Sequence, residues 1–140
     1  MAISSATYSP AVRRFLTVPR RYAVIAHLDA ACVPHQAVVW YRLDDAGLLI
    51  NSLVGRRWPR ELQRDPRLAF TVHDEGVAGE REDYVTVEAT ARVVAKGADA
   101  LADIQDLARR YGGDPDQFAG QERISFRLAP VRVSIHGELP

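Results

Sequence analysis

In residues 84–95, with the sequence YVTVEATARVVA, apolar and polar side chains alternate from Tyr84 to Val93. Successive side chains of a β-strand point to opposite faces, so this pattern predicts one long strand with a single apolar face. The predicted apolar face consists of Val85, Val87, Ala89, Ala91 and Val93. A chain with such a strand must cover that face and pair its backbone in a sheet.

Six other segments are typical of strands: residues 22–28, 35–43, 48–53, 67–74, 122–128 and 131–136. Residues 44–47 are predicted to form a hairpin turn, and the first three strands are expected to run as an antiparallel meander. Pro130 is expected to separate the last two strands. Residues 75–83 are expected to form an exposed acidic loop.

Three short helices complete the prediction. The first begins at Ser9-Pro10 and ends near Leu16, and the third covers residues 99–111 before Gly112. The second covers residues 55–64, and Pro59 must lie in its first turn. Seven short strands with three short helices predict a mainly β (α+β) fold, a closed or split β-barrel rather than a parallel α/β sheet.

The composition is that of one soluble domain spanning residues 1–140. Eighteen basic residues offset eighteen acidic residues, so the net charge is zero and bulk charge argues against a nucleic-acid partner. The single cysteine, Cys32, excludes an internal disulfide. Since neither a signal peptide nor an apolar run of bilayer length is present, we expect a cytoplasmic protein with no membrane partner.

The stretch from Asn51 to Arg60 carries the clearest chemical signal. It joins a strand end, a glycine turn and a helix start, where free N–H groups and the helix dipole favour an anion. Arginines suit phosphate geometry, and the Ser52 hydroxyl and the Asn51 amide could add donors. The alternative is a solvated basic face in which Arg57 pairs with Glu61. The arginines concerned are Arg56, Arg57 and Arg60.

The sequence contains no motif typical of a metal site, a catalytic nucleophile or a nucleotide-binding loop. The four histidines lack the spacing of a metal site, and there is no nucleophile triad, Walker loop or GxGxxG pattern. No catalytic residue is therefore assigned. An enzyme remains compatible with this absence, because a redox cofactor can supply hydride chemistry by itself.

Several motifs in order along the chain carry a resemblance to a known family. They are PHQAVVW at residues 34–40, GLLINS at 47–52, GRR at 55–57, REL at 60–62, RDPRL at 64–68 and YVTVEATA at 84–91. Together they resemble the pyridoxamine 5′-phosphate oxidase-like superfamily, which has an FMN-binding-like split β-barrel. The branch that uses the deazaflavin coenzyme F420 is the most similar.

The resemblance implies roles for the residues that match. In that family, basic residues on the loop and helix hold the cofactor phosphate. The resemblance therefore implies this role for Arg56, Arg57 and Arg60. Asn51 and Ser52 would line the same pocket. The family usually forms homodimers with cofactor sites in clefts at the interface. The strand residues expected beside the isoalloxazine-like ring are His35, Val38 and Trp40.

The chain departs from many relatives at two positions. Trp58 stands where they carry a lysine, and Glu61 where they often carry an asparagine. Trp58 could stack on a ring system through its flat apolar face. The alternative is that Trp58 packs on the barrel with Leu62.

Three functions follow from the resemblance. The first is an F420-dependent oxidoreductase that transfers hydride to a small organic acceptor. The second is an FMN-dependent oxidoreductase. The third is a non-catalytic module that binds a flavin, a deazaflavin or haem.

Overall fold

The computed structural model describes residues 7–74 and 82–139. These residues form three α-helices, a short 3₁₀ helix at Pro115–Phe118 and seven strands. The helices are α1 (Pro10–Leu16), α2 (Arg57–Arg64) and α3 (Gly97–Arg110). The strands are β1 (Ala23–Leu28), β2 (Pro34–Val39), β3 (Arg42–Asp44), β4 (Gly47–Leu53), β5 (Arg67–His73), β6 (Tyr84–Lys96) and β7 (Arg123–His136).

All seven strands belong to one antiparallel sheet with the order β2-β1-β5-β6-β7-β4-β3. The edge strands β2 and β3 are joined by only Trp40 and Tyr41. Three steps between consecutive Cα atoms span at most about 11 Å, so the two edges must lie close together and the sheet must roll up. The result is the predicted mainly β split barrel, with the split beside Trp40.

The predicted strand over residues 35–43 is wrong in one respect. It ends at Val39, and its second part pairs with β4 at the opposite edge of the sheet. The Tyr41 N–H donates to the Tyr111 hydroxyl (3.2 Å) rather than to a neighbouring strand, and the Tyr41 hydroxyl donates to the Leu16 carbonyl (2.6 Å). The predicted meander therefore fails after its first pair, because residues 48–53 do not pair with β2.

The predicted break at Pro130 is also wrong. Residues 123–136 form one continuous strand, and the register with β6 shifts between Glu88 and Ala89, opposite Pro130. Pro130 is paired with Ala89, and Val131 has no partner in the register. This irregularity is a β-bulge, a place where proline is tolerated in a sheet.

The local predictions agree with the structure. In β6 the side chains of Val85, Val87, Ala89 and Ala91 are buried, as the alternation predicts. The exception is Val93, which is 39% exposed where the register with β7 shifts, so its predicted burial is wrong. The Ser9 hydroxyl caps α1 by accepting from the Val12 N–H (3.2 Å). Residues 75–81 of the predicted acidic loop lie outside the described residues.

Helix α3 packs on the face of β4 and β7 that points away from the barrel interior. Its apolar contact comes from Leu49 with Ile104 and Leu107. The barrel interior is filled by β-strand side chains from both halves of the chain, including Ile25, Phe70 and Phe126. The contact between α3 and the sheet is thus separate from the barrel core. Strands β4 and β7 contribute one face to each.

We expect the substitution Tyr111→Phe to lower the free energy of unfolding by about 1–3 kcal/mol. The Tyr111 hydroxyl donates to the Arg21 carbonyl and accepts from the Tyr41 N–H, so its loss leaves two backbone groups unpaired. Urea unfolding measures the change. Tyr22→Phe is the matched control, because the Tyr22 ring is exposed and its hydroxyl bonds no described residue. Equal stability of the two variants would contradict the role assigned to Tyr111.

Candidate functional site

A pocket of about 250 Å³ opens at the barrel split, between the ends of β2 and β4, the start of α2, and α3. It gathers six of the nine residues predicted to bind the cofactor: Val38, Trp40, Asn51, Ser52, Arg56 and Trp58. The other lining residues are Val39, Ile104, Leu107, Gln117, Phe118 and Arg123. The lining contains no carboxylate, histidine, cysteine or tyrosine side chain among the described residues.

The Asn51 amide is fully engaged in hydrogen bonds. Its Nδ2 donates to the Ala100 carbonyl (2.9 Å) and to Ser125 Oγ (2.9 Å), and its Oδ1 accepts from Arg123 Nε (2.9 Å). A carbonyl can only accept and a guanidinium can only donate, so these partners fix the orientation of the amide. Asn51 therefore has no amide hydrogen left for a phosphate, and it acts on a ligand by holding Arg123.

The start of α2 has the features expected of an anion site. Arg56 occupies the N-cap position, where no side chain accepts from the first-turn N–H groups. Ser, Thr, Asp and Asn are preferred at that position because their oxygens satisfy these donors. The first turn holds no acidic residue. Pro59 has no N–H, and the Arg60 N–H bonds the Arg56 carbonyl (3.4 Å), so the free N–H groups at this helix start are those of Arg57 and Trp58. They lie at the positive end of the helix dipole, beside the pocket.

The structure divides the predicted arginine cluster into two parts. Arg56 lines the pocket at the split, whereas Arg57 and Arg60 line a neighbouring depression of about 600 Å³ that also contains Asp29 and Glu61. Glu61 pairs with Arg64 (2.8 Å), not with Arg57 as the solvated-face alternative requires. Arg57 and Arg60 therefore make no ion pair within residues 7–74 and 82–139.

His35 and Val38 lie on opposite faces of β2. The His35 Nε2 lies 2.9 Å from Arg57 Nη1 and 2.9 Å from Asp29 Oδ2. One ring nitrogen cannot accept from Arg57 and donate to Asp29 at the same time. Nε2 therefore bonds Asp29 when it carries a proton and Arg57 when it does not. Val38 points outward and is 67% exposed. A ring in the pocket can meet Val38 and Trp40, whereas His35 is not among the residues that line the pocket.

The two tryptophans have different surroundings. Trp58 is buried in the barrel core with Leu62, and its ring centroid lies 5.7 Å from that of Phe126. This matches the alternative of packing on the barrel, and the ring contributes one wall of the pocket. Trp40 stacks on Tyr111, with centroids 5.0 Å apart, and meets Phe118 edge-on. Trp40 is thus held rigidly at the mouth of the split.

Arg123 is the main pocket residue that sequence reasoning missed. It belongs to the segment RISFRL, whose Arg, Ser and Arg side chains alternate with Ile124, Phe126 and Leu128. That alternation indicates a polar face turned to solvent, and nothing local shows that α3 covers it. In the structure Arg123 is buried, and its guanidinium lies 5.2 Å from the Phe118 ring centroid.

No cluster of three or more histidine, cysteine or acidic side chains suited to a metal ion occurs in the part of the chain that the structure describes. Likewise, none of the helices within residues 7–74 and 82–139 is long and apolar enough to cross a membrane.

The family model described as "Pyridoxamine 5'-phosphate oxidase" matches residues 8–137. The chain belongs to the pyridoxamine 5′-phosphate oxidase family. This confirms the family and the split-barrel fold that the sequence motifs indicate. No curated protein matches the chain in sequence.

Solved structures share the fold of this pyridoxamine 5′-phosphate oxidase family member over most of its length. The conserved hypothetical protein Rv2991 from Mycobacterium tuberculosis has a TM-score of 0.76 and 21% identity, covering 96% of this chain and 87% of that chain. An F420 reductase has a TM-score of 0.68 and 20% identity, with coverages of 83% and 90%. The haem storage protein HutZ from Vibrio cholerae has a TM-score of 0.72 and 18% identity, with coverages of 93% and 95%.

We expect the protein to lose stability as the pH falls below about 6.5, with His27 as a main cause. Burial, and next the neighbouring His35, lower the pKa of His27 in the folded state. Between that lowered pKa and the ordinary value the unfolded chain binds a proton that the folded chain does not, so acid favours unfolding. Asp29 acts in a different window, because its hydrogen bond with His35 lowers its pKa to about 2.

Urea unfolding between pH 7.5 and pH 5.5 tests this expectation. His27→Leu should lose less stability over this range than the wild type, whereas His136→Leu, at an exposed position, should behave like the wild type. An unchanged pH dependence in His27→Leu would show that His27 is not the cause.

Proposed function

We propose that this chain binds a phosphate-bearing deazaflavin of the F420 type at the barrel split and transfers hydride to a small organic acceptor. The observation that carries the proposal is the uncapped start of α2 beside the pocket, with Arg56 at its N-cap. An anion there would meet free backbone N–H groups, the positive helix end and a guanidinium. The similarity to an F420 reductase supports the choice of ring system.

The described residues fit such a group. Arg56 and the first turn of α2 would hold the phosphate, and Arg57 and Arg60 lie on the adjoining surface. Val38 and Trp40 would contact the ring, and the apolar side chains of Ile104 and Leu107 would exclude water from it. When bound, the deazaflavin supplies the hydride, and this matches a pocket without an acid or base of its own.

The same residues would serve FMN, which also carries a phosphate and a flat ring. The lack of an acid or base in the pocket also favours a second candidate, a non-catalytic module that stores a flavin, a deazaflavin or haem. HutZ, a haem storage protein with the same fold, supports that alternative. The colour of the purified protein separates FMN from the others, and turnover of a panel of enones and quinones separates an enzyme from a storage protein.

Arg56→Ala should weaken the binding of F420 by about 10- to 100-fold, because it removes a charge-assisted hydrogen bond to phosphate. Arg57→Ala should weaken it less, since Arg57 is exposed and lines the neighbouring depression rather than the pocket. Quenching of the deazaflavin fluorescence on titration with protein measures the affinity. Arg132→Ala, on the exposed face of β7, is the control and should match the wild type. Unchanged affinity in both Arg56→Ala and Arg57→Ala would place the cofactor elsewhere.

The pocket in one chain is smaller than the roughly 300–1,000 Å³ of ordinary ligand sites. We therefore propose a homodimer in which a second copy completes the cofactor cleft. Its contact would be the outer sheet face next to the pocket, where Tyr22, Val24 and Val38 are exposed. Val24 and Val38 are direct cross-strand neighbours, so they form one continuous apolar surface.

Val38→Lys should convert the dimer into monomers and weaken cofactor binding, because a charge would be buried in the contact. Light scattering measures the mass, and fluorescence titration the affinity. Val33→Lys is the matched control, since Val33 is also exposed but lies in the turn before β2. A wild-type protein that is monomeric at all concentrations would contradict the homodimer.

A further inference from the structure

His35 lies between two opposite charges at the start of α2. Its Nε2 is 2.9 Å from Asp29 Oδ2, in the turn before β2, and 2.9 Å from Arg57 Nη1, in the first turn of the helix. A neutral ring can place its proton on Nδ1 and accept from the guanidinium, whereas a charged ring carries protons on both nitrogens and can only donate. The charge of one imidazole therefore decides which of the two contacts is made.

The ionisable groups that face this ring come from every element packed against it. Asp29 belongs to the turn between β1 and β2, Arg57 to α2, and His27 to β1, where the two imidazole rings stack with centroids 5.8 Å apart. Glu61, on the next turn of α2, acts on His27. The hydrogen bond with His35, and next that from the Val33 N–H, lowers the pKa of Asp29 to about 2. The carboxylate is thus charged throughout the neutral and mildly acidic range and is a permanent partner for a proton on Nε2.

The backbone of Arg57 lies at the edge of the cofactor pocket, but its side chain is directed elsewhere. Arg56 and Trp58, the residues on either side of it, both line the pocket at the split. Arg57 lines the neighbouring depression instead, where its guanidinium bonds His35 and so joins α2 to β2. The neutral His35 ring therefore holds this guanidinium away from the pocket.

Two arginine hydrogen bonds join α2 to the hairpin of β1 and β2, and only one of them depends on a proton. Near the helix end, Arg64 Nη2 donates to the Leu28 carbonyl (2.8 Å), and a backbone carbonyl does not titrate. Near the helix start, the corresponding bond runs from Arg57 to His35. Protonation of His35 thus breaks the attachment only at the end of α2 that lies beside the pocket.

We propose that His35 is a positioning residue for Arg57: its neutral ring holds the guanidinium on β2, and its protonation transfers Nε2 to Asp29 and releases the guanidinium toward the cofactor pocket. The affinity for an anionic cofactor then rises as the pH falls through the His35 titration. The released guanidinium adds a donor, and the imidazolium adds a positive charge near the ligand. The inference rests on the proposed function only for the identity of that ligand.

Nitrogen-15 NMR of the ligand-free protein between pH 8 and pH 5, the range in which histidine ordinarily changes charge, tests the positioning directly. The ring nitrogens of His35 report its charge and its tautomer. The Nε–H signal of Arg57, assigned by its loss in Arg57→Lys, reports the guanidinium. Both should change over the same pH interval, because one contact replaces the other. A guanidinium signal that does not follow the His35 titration would overturn the proposal.

His35→Gln keeps both contacts and removes the titration. A glutamine amide can accept from Arg57 through its oxygen and donate to Asp29 through its nitrogen at the same time. The Arg57 signal should therefore stay at its high-pH position throughout the range. The control His136→Gln, at an exposed position of β7, should leave the wild-type response of Arg57 intact. A full pH response of Arg57 in His35→Gln would show that another group moves it and would refute the role of His35.

Removal of either charged partner should move the His35 titration, in opposite directions. Arg57→Gln removes a cation, so the ring should take up its proton at a higher pH. Asp29→Asn removes the anion but keeps an oxygen for the N–H groups of Ala31 and Val33, so the ring should take up its proton at a lower pH. Shifts of the same sign, or no shifts, would contradict the placement of His35 between two charges.

His27 also titrates and stacks on His35, so its contribution needs a variant of its own. His27→Leu removes the buried imidazole and leaves His35, Asp29 and Arg57 in place. The pH response of the Arg57 signal should persist in this variant. A folded His27→Leu protein in which that response is absent would make His27 the sensor and overturn the proposal.

Fluorescence titration with F420, or with FMN where F420 does not bind, connects the positioning to binding. The affinity of the wild type divided by that of His35→Gln should rise about 2- to 10-fold between pH 8 and pH 5.5, in line with one charged hydrogen bond at a partly exposed site. The ratio cancels any titration of the cofactor itself, which both proteins share. The same ratio at both pH values would refute the link between His35 and the cofactor.

These measurements separate the inference from the proposed function. If neither F420 nor FMN binds at any pH, while Arg57 still follows His35 in the ligand-free protein, the cofactor proposal fails and the positioning role stands. If a cofactor binds, but neither the Arg57 signal nor the affinity ratio depends on pH, the positioning role fails and the cofactor proposal stands.

Discussion

The amide of Asn51 is the interaction on which the pocket depends. Its three hydrogen bonds join β4 to β7, through Ser125 and Arg123, and to α3, through the Ala100 carbonyl. The network satisfies Asn51 and Ser125 on the polar face of β4 and β7 beneath α3, where an unpaired buried group would cost about 1–3 kcal/mol. The amide thus permits the burial of this face and also sets the direction of Arg123.

The pocket exists because the sheet does not close on itself. Strand β3 pairs with β4 only at residues 47–49, so the remainder of β4 has no strand partner on that side. The chain leaves β2 at Trp40, where the Tyr111 ring and hydroxyl hold it by stacking and by the bond from the Tyr41 N–H. The side chains that interrupt the strand therefore keep the split open, and the residues beside the split line the pocket.

Sequence reasoning succeeded where the determinants are local. The alternation in β6, the Ser9-Pro10 helix start and the placement of α2 by Pro59 all follow from neighbouring residues. For the same reason Asn51, Ser52, Arg56 and Trp58 lie together at the pocket, since a strand end and a helix start are adjacent in the chain. Strand pairing depends instead on contacts distant in sequence, such as Tyr111 with Tyr41, which no local pattern reveals. Arg123 was missed because only the position of α3 buries it.

The distribution of charge connects the site to the whole chain. Eighteen acidic residues balance eighteen basic ones, so the surplus of positive charge at the split is local. Arg42 and Arg127 take up three of the aspartates as ion-pair partners, namely Asp44, Asp103 and Asp106. Two further acids, Asp29 and Glu61, line the neighbouring depression beside α2. None of them lines the pocket that holds Arg56 and Arg123. The guanidinium groups of Arg56 and Arg123 therefore have no acidic neighbour in the pocket lining, and an uncompensated buried charge is destabilising.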